Sequence, residues 1–285
     1  MTDAGEPRPL EGVRVVTLAV NVPGPAAAAR LHALGARVTK VEPPEGDPLA
    51  LASPAWYDEL ARGQRVLRLD LKEADGRARL EEILAESDLL LTSSRPAALE
   101  RLGLARGALH ARHPRLAQVA VTGCPAPHEN RAGHDLTYQA ALGLVEPPSL
   151  PRTLLADLAA AERAVSAALA LMLARARSGE EGYAEVCIQE AAAAFAAPLR
   201  HGLTRPGGWL GGGMDVYGLY RAREGWIALA ALEPRFRQRL AEALGVDALG
   251  RPRLEAAFLA RTADEWEAWA LEHDLPIAAV RDASG

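Results

Sequence analysis

The sequence predicts an α/β fold, in which a large domain with a Rossmann-like parallel sheet is followed by a smaller α+β domain. Two observations support this prediction. Over residues 12–201, short β-branched runs alternate with helical segments, and this alternation is typical of parallel sheets that bind ligands at the strand ends. Glycine-rich stretches at residues 207–213 then interrupt the pattern. The segments beyond them indicate a second unit, because such stretches usually mark linkers or loops.

The large domain is predicted element by element. Pro25 lies at the start of the first helix and Gly35 just past its end, the usual asymmetry of helix termini. The preceding turn, which begins at Asn21, lacks the GxGxxG pattern, so a nicotinamide dinucleotide is not the indicated ligand. Strands are expected at residues 12–19, 37–41, 65–71, 88–92, 116–122 and 183–189, and helices at 25–34, 74–84, 97–102, after Asp157 and at 190–201.

The second unit reads as a small α+β domain. We expect the large domain to cover residues 1–204, a glycine-rich linker or mobile loop to cover 205–215, and the small domain to cover 216–285. Within the small domain, strands are expected at 216–221, 226–231 and 277–280, and helices at 234–244, 253–260 and 263–272.

Composition argues against several function classes. A formal net charge of −5 gives no broad electrostatic attraction to nucleic acid or anionic lipid. The sequence has no apolar run long enough to cross a bilayer. The segment Met1 to Pro9 is acidic rather than basic and then apolar, so it is no secretory signal, and we expect a cytoplasmic protein. Cys124 and Cys187 lie far apart without a CxxC motif, which argues against a metal site or a disulfide framework.

Two proton-transfer residues lie at the expected starts of two helices. His134 follows Gly133, and Asp157 opens a long alanine-rich helix. The apolar positions Leu158, Val165, Leu169 and Met172 predict a buried stripe that would hold an early carboxylate rigidly. Taken alone, Asp157 fits a simple helix N-cap equally well, and His134 fits a hydrogen-bonded surface residue.

Several motifs, in order along the chain, resemble the family III CoA transferases of the CaiB/BaiF type, which include the 2-methylacyl-CoA racemases. The similarity runs from about Leu10 to Val280. It is carried by LEGVRVVTLA, the PGP turn, LGARVTKVEPPEGDP, RLDLK, RPAALERLGL, HPRLAQVAVTG, AGHDLTYQAALGL, LLADLAA and YRAREGWIALAALEPRF.

The resemblance implies an acyl-CoA enzyme that works as an interlocked homodimer. Its ligand would be a coenzyme A thioester, bound as substrate, with no tightly bound cofactor and no metal. No nucleic-acid or membrane partner is expected. Relatives normally return to the large domain after the small one, and this sequence stops soon after Val280. A degenerate CoA-binding partner subunit is therefore a third reading, beside two enzymatic ones.

The resemblance also assigns ligand-binding residues. Arg101 matches a residue that contacts a CoA phosphate in relatives, a role that suits the planar guanidinium fork. The turn containing Asn21 and Pro23 corresponds to a CoA-lining segment, and so do Ser93 and Ser94. Racemases often carry an arginine where this chain has Pro43. That phosphate contact is expected to be either absent or replaced by Lys40 or Arg62.

The catalytic residues leave two reactions open. Asp157 aligns with the catalytic aspartate of both racemases and transferases. His134, in a GHD triplet, and Glu233, in a segment whose glutamate supports that histidine, favour a racemase. Ala159 and Ala160 replace the glycines that usually follow the aspartate, and CPAPHEN replaces a glycine-rich loop. Both departures leave the substrate range open.

The chemistry explains why two residues are needed. Inversion of a carbon next to a thioester requires one base on each face, and His134 and Asp157 would be those bases. The amides of the helix that follows Asp157 are expected to stabilise the enolate oxygen. In a transferase, Asp157 would instead attack the thioester and form a mixed anhydride.

Overall fold

The computed structural model describes residues 8–179 and 182–281. The chain divides into two compact units, Met1–Ala196 and Ala197–Gly285. This division falls eight residues before the boundary expected at residue 204. Most of the N-terminal segment that was read as lacking a secretory signal, residues 1–7, lies outside the described residues.

The first unit contains a six-stranded parallel sheet in the order β3-β2-β1-β4-β5-β6. This is the doubly wound order in which ligands bind where the strand order reverses. The predicted α/β class with a Rossmann-like sheet is therefore confirmed. The strands are β1 Arg14–Thr17, β2 Arg37–Glu42, β3 Arg65–Arg68, β4 Leu89–Thr92, β5 Ala117–Thr122 and β6 Tyr183–Cys187.

Two strands, β4 and β5, are buried along their whole length. All residues of β4 and β5 are buried, as expected for parallel strands covered by helices on both faces. The helices of this unit are α1 Pro23–Ala33, α2 Pro48–Ala52, α3 Pro54–Ala61, α4 Ala74–Ala85, α5 Pro96–Arg101, α6 Arg106–Arg112, α7 Asp135–Ala141, α8 Leu155–Ser178 and α9 Ile188–Phe195. Sequence analysis missed α2, α3 and α6, which are short and bury one residue or none.

The long helix α8 packs through small side chains. Ala156, Ala160, Ala164 and Ala168 are all buried, at a spacing of four residues that places them on one helix face. Of the expected apolar stripe, only Val165 is fully buried, while the larger side chains pack at the margin of the core. The alanines let α8 lie close to its neighbours, so its first turn is held firmly.

The second unit has its own hydrophobic core. Its elements are helix α10 Ala197–Arg200, strands β7 Tyr217–Arg221 and β8 Trp226–Ala230, helices α11 Pro234–Leu244, α12 Arg251–Phe258 and α13 Ala263–Glu272, and strand β9 Ile277–Ala279. The strands form an antiparallel sheet in the order β7-β8-β9. Phe258 packs between Tyr220 and Trp266, with ring centroids 5.2 and 5.1 Å away.

The glycine-rich segment is a set of packed turns rather than an extended linker. Gly207 donates its amide to the carbonyl of Gly211 at 2.8 Å, and Leu210 donates to Leu203 at 2.9 Å. A Cβ at Gly211 would lie 1.8 Å from the carbonyl oxygen of Arg205. Glycine is required there because backbone approaches backbone. Among the described helices, none is both long and apolar enough for a bilayer span.

Candidate active site

A cavity of about 200 Å³ in the first unit contains both proposed catalytic side chains, His134 and Asp157. It lies at the carboxyl ends of β1, β4 and β5, where Val20, Ser93 and Gly123 contribute to the lining. Such an edge is the usual ligand site of an open parallel sheet. The other lining residues are Asn21, Pro23, Arg95, Val121, Thr122, Glu129, Arg131, Gly133, Tyr138 and Ile188.

His134 is the residue immediately before α7. Its backbone is extended (φ −139°, ψ 165°), and its amide and carbonyl groups both form hydrogen bonds with Thr137. The His134 amide donates to Thr137 Oγ1 at 3.1 Å, and that hydroxyl donates to the His134 carbonyl at 2.7 Å. These bonds fix the histidine backbone at the helix start. Because the backbone is fixed, the His134 side chain is held where it lines the cavity.

Asp157 lies within the first turn of α8, not before it. The helix begins at Leu155, so the N-cap reading of Asp157 is wrong. A different carboxylate, Asp135 Oδ1, accepts the amides of Ala156 at 2.7 Å and Asp157 at 3.1 Å. The amide of Leu158 donates to the carbonyl of Leu154 at 3.0 Å.

These hydrogen bonds bear on the expected site for the enolate oxygen. The amides of Ala156, Asp157 and Leu158 each have a protein acceptor, and later amides of α8 bond within the helix. The expectation that the amides of this helix stabilise the enolate oxygen is therefore wrong. Another donor must face the ligand if an enolate is formed.

Burial, and after it repulsion from the Asp135 carboxylate, together raise the pKa of Asp157 from 3.8 to about 7. A charge that leaves water loses solvation, and a nearby like charge disfavours it again. With this pKa the group exchanges a proton readily near neutral pH. Such a value suits a general acid or base.

Asp135 connects the two helix starts that carry His134 and Asp157. Its Oδ2 accepts from Gln139 Nε2 at 2.6 Å, and the same amide nitrogen lies 3.1 Å from the carbonyl of Thr153. Asp135 and Gln139 are both buried. Sequence analysis did not assign Asp135, although an Asp and a Gln four residues apart on a helix are neighbours.

The expected CoA-binding residues are divided among several places. Asn21, Pro23 and Ser93 line the catalytic cavity. Ser93 Oγ also accepts the Val20 amide at 3.2 Å, which joins β4 to the turn after β1. Ser94 lines a neighbouring cavity of about 260 Å³, to which Val20 also contributes. The two cavities thus share one wall.

Lys40 does not provide a ligand contact. Its side chain is 1% exposed, and Nζ donates to Glu42 Oε1 at 2.5 Å and to Asp47 Oδ2 at 2.6 Å. A buried ammonium that is paired in this way is occupied by its carboxylates. The expected replacement of a phosphate contact by Lys40 is therefore wrong.

The Lys40 cluster instead supports the turn after β1. Asp47 Oδ1 accepts the Asn21 amide at 3.0 Å and the Leu49 amide at 2.9 Å. Asn21 has φ +67°, a conformation that is uncommon for residues other than glycine and in which asparagine is enriched. Asp47 therefore holds a left-handed residue in the cavity wall and caps α2 with the same oxygen.

Arg62 and Arg101 are exposed residues at helix ends, one following α3 and the other ending α5. Neither lines the two cavities, so their phosphate contacts stay predictions. Arg95 and Arg131 do line the catalytic cavity, and sequence analysis assigned neither. The position of Arg95, just after β4 and Ser94, was the signal that could have found it, because parallel strands end at the ligand edge.

Glu233 belongs to the second unit, where it is the exposed residue before α11. Its support of His134 stays a prediction. Residues 8–179 and 182–281 contain no cluster of three or more His, Cys, Asp or Glu side chains arranged to hold a metal ion.

The chain is similar to known proteins both in sequence and in fold. The sequence profile described as CoA-transferase family III matches residues 10–285. The chain is 29% identical over 270 residues to succinyl-CoA–D-citramalate CoA-transferase of Chloroflexus aurantiacus, with coverage of 86% of this chain and 67% of the relative. It is 32% identical over 257 residues to human alpha-methylacyl-CoA racemase, with coverage of 83% and 65%.

The fold comparison gives the same result. The crystal structure of Rv3272 from Mycobacterium tuberculosis in its orthorhombic form is 26% identical, with a TM-score of 0.86 over 98% of this chain and 85% of that one. The chain spans about two thirds of the length of the curated relatives named above. The resemblance drawn from the sequence motifs is confirmed, and the chain belongs to the CoA-transferase family III.

Proposed function

We propose that this protein inverts the carbon next to the carbonyl of a 2-methylacyl-CoA thioester by 1,1-proton transfer. Asp157 and His134 act as the two bases, one on each face of the carbon. The observation that carries this proposal is their joint presence in one cavity at the ligand edge of the sheet. The raised pKa of Asp157 supports it, because an exchangeable proton near neutral pH is what such a base requires.

The reaction proceeds through an enolate. One base removes the α-proton, the electron pair moves to the thioester oxygen, and the other base returns a proton to the opposite face. No second acid substrate is consumed. CoA is bound as part of the substrate, and the neighbouring cavity lined by Ser94 and Lys72 offers space for it next to the catalytic one.

The relatives' names support a second candidate, transfer of CoA between carboxylic acids. One of the relatives described above is a CoA-transferase by name. In that reaction Asp157 attacks the thioester carbonyl and releases CoA as its thiolate, which leaves a mixed anhydride. The CoA thiolate then attacks the Asp157 carbonyl and releases the donor acid, and the acceptor carboxylate takes up CoA by the same two steps in reverse. His134 would then carry no proton in the central step. A CoA-binding subunit without activity, within an interlocked dimer, is the remaining alternative.

The test is incubation of the protein with (2R)-2-methylacyl-CoA in heavy water, with and without a free carboxylate acceptor. Racemase activity gives α-deuterium and both epimers without an acceptor. Transferase activity gives acceptor-dependent exchange of CoA, an acyl species on Asp157 that hydroxylamine traps, and no α-deuterium. Deuterium-free substrate together with acceptor-dependent transfer would exclude the racemase proposal.

A further inference from the structure

The hydroxyl of Tyr138 opens into the catalytic cavity and is not held by a protein acceptor among the described residues. Tyr138 lies on α7, four residues after His134, and its side chain is only 5% exposed. It lines the cavity together with His134 and Asp157. Within residues 8–179 and 182–281, no group accepts a hydrogen bond from its Oη. Because this donor opens into the cavity, an acceptor on a bound ligand can reach it.

Two glycines make the space for this hydroxyl. A Cβ at Gly123 would lie 2.2 Å from Tyr138 Oη, and a Cβ at Gly133 would lie 2.4 Å from it. Both distances are far below normal contact, so any larger residue would displace the phenol. Both glycines line the cavity, one at the end of β5 and the other just before His134. The hydroxyl therefore occupies space that exists because Gly123 and Gly133 have no side chains.

The chemistry of this site needs a donor of this kind. Charge develops on the thioester oxygen when the α-proton leaves, and such charge is normally stabilised by fixed hydrogen-bond donors. In the first turn of α8, the amides of Ala156 and Asp157 are occupied by Asp135, and that of Leu158 is occupied by the Leu154 carbonyl. Burial, with contributions from Cys124 and Asp157, raises the pKa of Tyr138 to about 12. The phenol stays a neutral donor at every pH where Asp157 titrates.

We propose that Tyr138 Oη donates a hydrogen bond to the carbonyl oxygen of the bound thioester and stabilises the enolate. This inference rests on the proposed function. The α-proton passes to Asp157 or His134, the electron pair moves to the thioester oxygen, and Tyr138 keeps its own proton throughout. When the carbon is reprotonated, the electron pair returns to it. In CoA transfer, the same donor would face the oxyanion formed when Asp157 attacks.

A purely structural role makes a different prediction. Tyr138 also packs in a small apolar cluster with Cys124, Ala156 and Ala192. If only this packing matters, Tyr138→Phe will keep full activity, because phenylalanine preserves the ring. Tyr183→Phe is the matched control, since the Tyr183 hydroxyl lies 3.4 Å from Glu185 at the start of β6 and lines no part of the catalytic cavity.

The experiment measures α-deuterium incorporation, or CoA transfer if that is the reaction found, for the wild type and both variants. Tyr138→Phe is expected to slow the reaction about 10²- to 10³-fold, the usual effect of removing one oxyanion donor, with unchanged affinity for free CoA. Tyr183→Phe is expected to stay within threefold of the wild type. A Tyr138→Phe rate within threefold of the wild type would overturn the assignment.

A binding measurement separates this inference from the proposed function. Calorimetry compares a 2-methylacyl-CoA with its thioether analogue, in which CH₂ replaces the carbonyl. The wild type is expected to prefer the thioester about fivefold, the effect of one hydrogen bond, and Tyr138→Phe is expected to lose that preference. If the variant keeps the preference, only the Tyr138 assignment fails. If the wild type binds neither compound and catalyses neither reaction, the proposed function fails, and the assignment fails with it.

Discussion

At the scale of single residues, the site is defined by the carboxyl group of Asp157, whose pKa is raised by burial and by the neighbouring Asp135. Asp135 accepts the two amides that would otherwise stabilise a negative charge at the start of α8, and its own charge repels that of Asp157. The pKa of Asp157 therefore rises to about 7, whereas a carboxylate in the first turn of a helix would ordinarily be favoured by the helix dipole. Burial and Asp135 together outweigh the dipole.

His134→Ala separates the two candidate reactions. In a racemase the change removes one of two bases, so we expect inversion to slow by about two to four orders of magnitude, with fold and CoA affinity retained. His128→Ala is the control, because His128 lies in the preceding loop and does not line the cavity. Both rates are measured as α-deuterium incorporation. An unchanged rate in His134→Ala would contradict the two-base mechanism.

Asp157→Asn is expected to abolish exchange while stabilising the fold. A carboxyl group whose pKa is raised on folding, here from 3.8 to about 7, stabilises the protein only while it is protonated. This contribution is complete below pH 3.8, decreases as the pH rises towards 7, and is absent above it. The neutral side chain of the Asp157→Asn variant does not titrate, so the variant does not lose stability in this way as the pH rises.

The difference in Tm between Asp157→Asn and the wild type is therefore expected to grow between pH 4 and pH 7 and to stay constant above pH 7. Thermal unfolding at several pH values measures it. Asp58→Asn, an exposed position on α3, is the control and should show no such trend. A difference that is independent of pH would contradict the raised pKa of Asp157.

At the scale of elements, the cavity wall depends on a buried charge cluster around Lys40. Lys40 on β2 pairs with Glu42 and Asp47, and Asp47 holds the amide of Asn21. Tyr57 on α3 donates to Glu42 Oε1 at 2.6 Å. One cluster thus joins β2, α2, α3 and the turn after β1. Asn21 in this turn keeps its left-handed backbone conformation because Asp47 accepts its amide.

Lys40→Met tests this cluster. The change removes the Lys40 ammonium from the buried carboxylates of Glu42 and Asp47, and loss of one partner from a buried charge pair typically costs about 3–5 kcal/mol. We expect a decrease of this size in the free energy of unfolding in urea. Lys72→Met is the matched control, because Lys72 is exposed and surface changes usually stay within about 0.5 kcal/mol. Equal effects in the two variants would show that the cluster does not stabilise the fold.

At the scale of the whole molecule, each unit has its own core. The second unit encloses Phe258, Trp266 and Trp269 with its sheet, and Trp266 Nε1 donates to the Phe258 carbonyl at 2.7 Å. The interlocked homodimer stays a prediction that derives from the resemblance alone.

Phe258→Ala is expected to destabilise the second unit by about 3–5 kcal/mol, the usual cost of removing a buried aromatic side chain. Phe258 is fully buried, whereas Phe195 on α9 is 55% exposed, so Phe195→Ala is the control. Tryptophan fluorescence during urea unfolding reports the second unit, which contains Trp266 and Trp269 at its core. A shift in the Phe195 variant as large as in the Phe258 variant would contradict the packing described.

The sequence by itself determined the fold class, the order of the strands along the chain, the family, and the two residues that share the cavity. These features follow from local patterns: β-branched runs, Pro and Gly at helix ends, and motifs in a constant order. Short helices such as α2 and α3 could not be predicted, because they bury almost nothing and carry no periodic signal.

Only the tertiary structure decided which polar groups are already occupied. Lys40 and the amides of α8 looked available for a ligand until their partners, Asp47 and Asp135, were placed beside them. Asp135 is 21 residues from Ala156 in sequence, and no local pattern connects them. Conversely, Tyr138 looked like an ordinary helix residue, and only the packing of Gly123 and Gly133 against it shows its hydroxyl in the cavity. Which groups become hydrogen-bond partners depends on their proximity in the folded chain, and a local sequence pattern carries no information about that proximity.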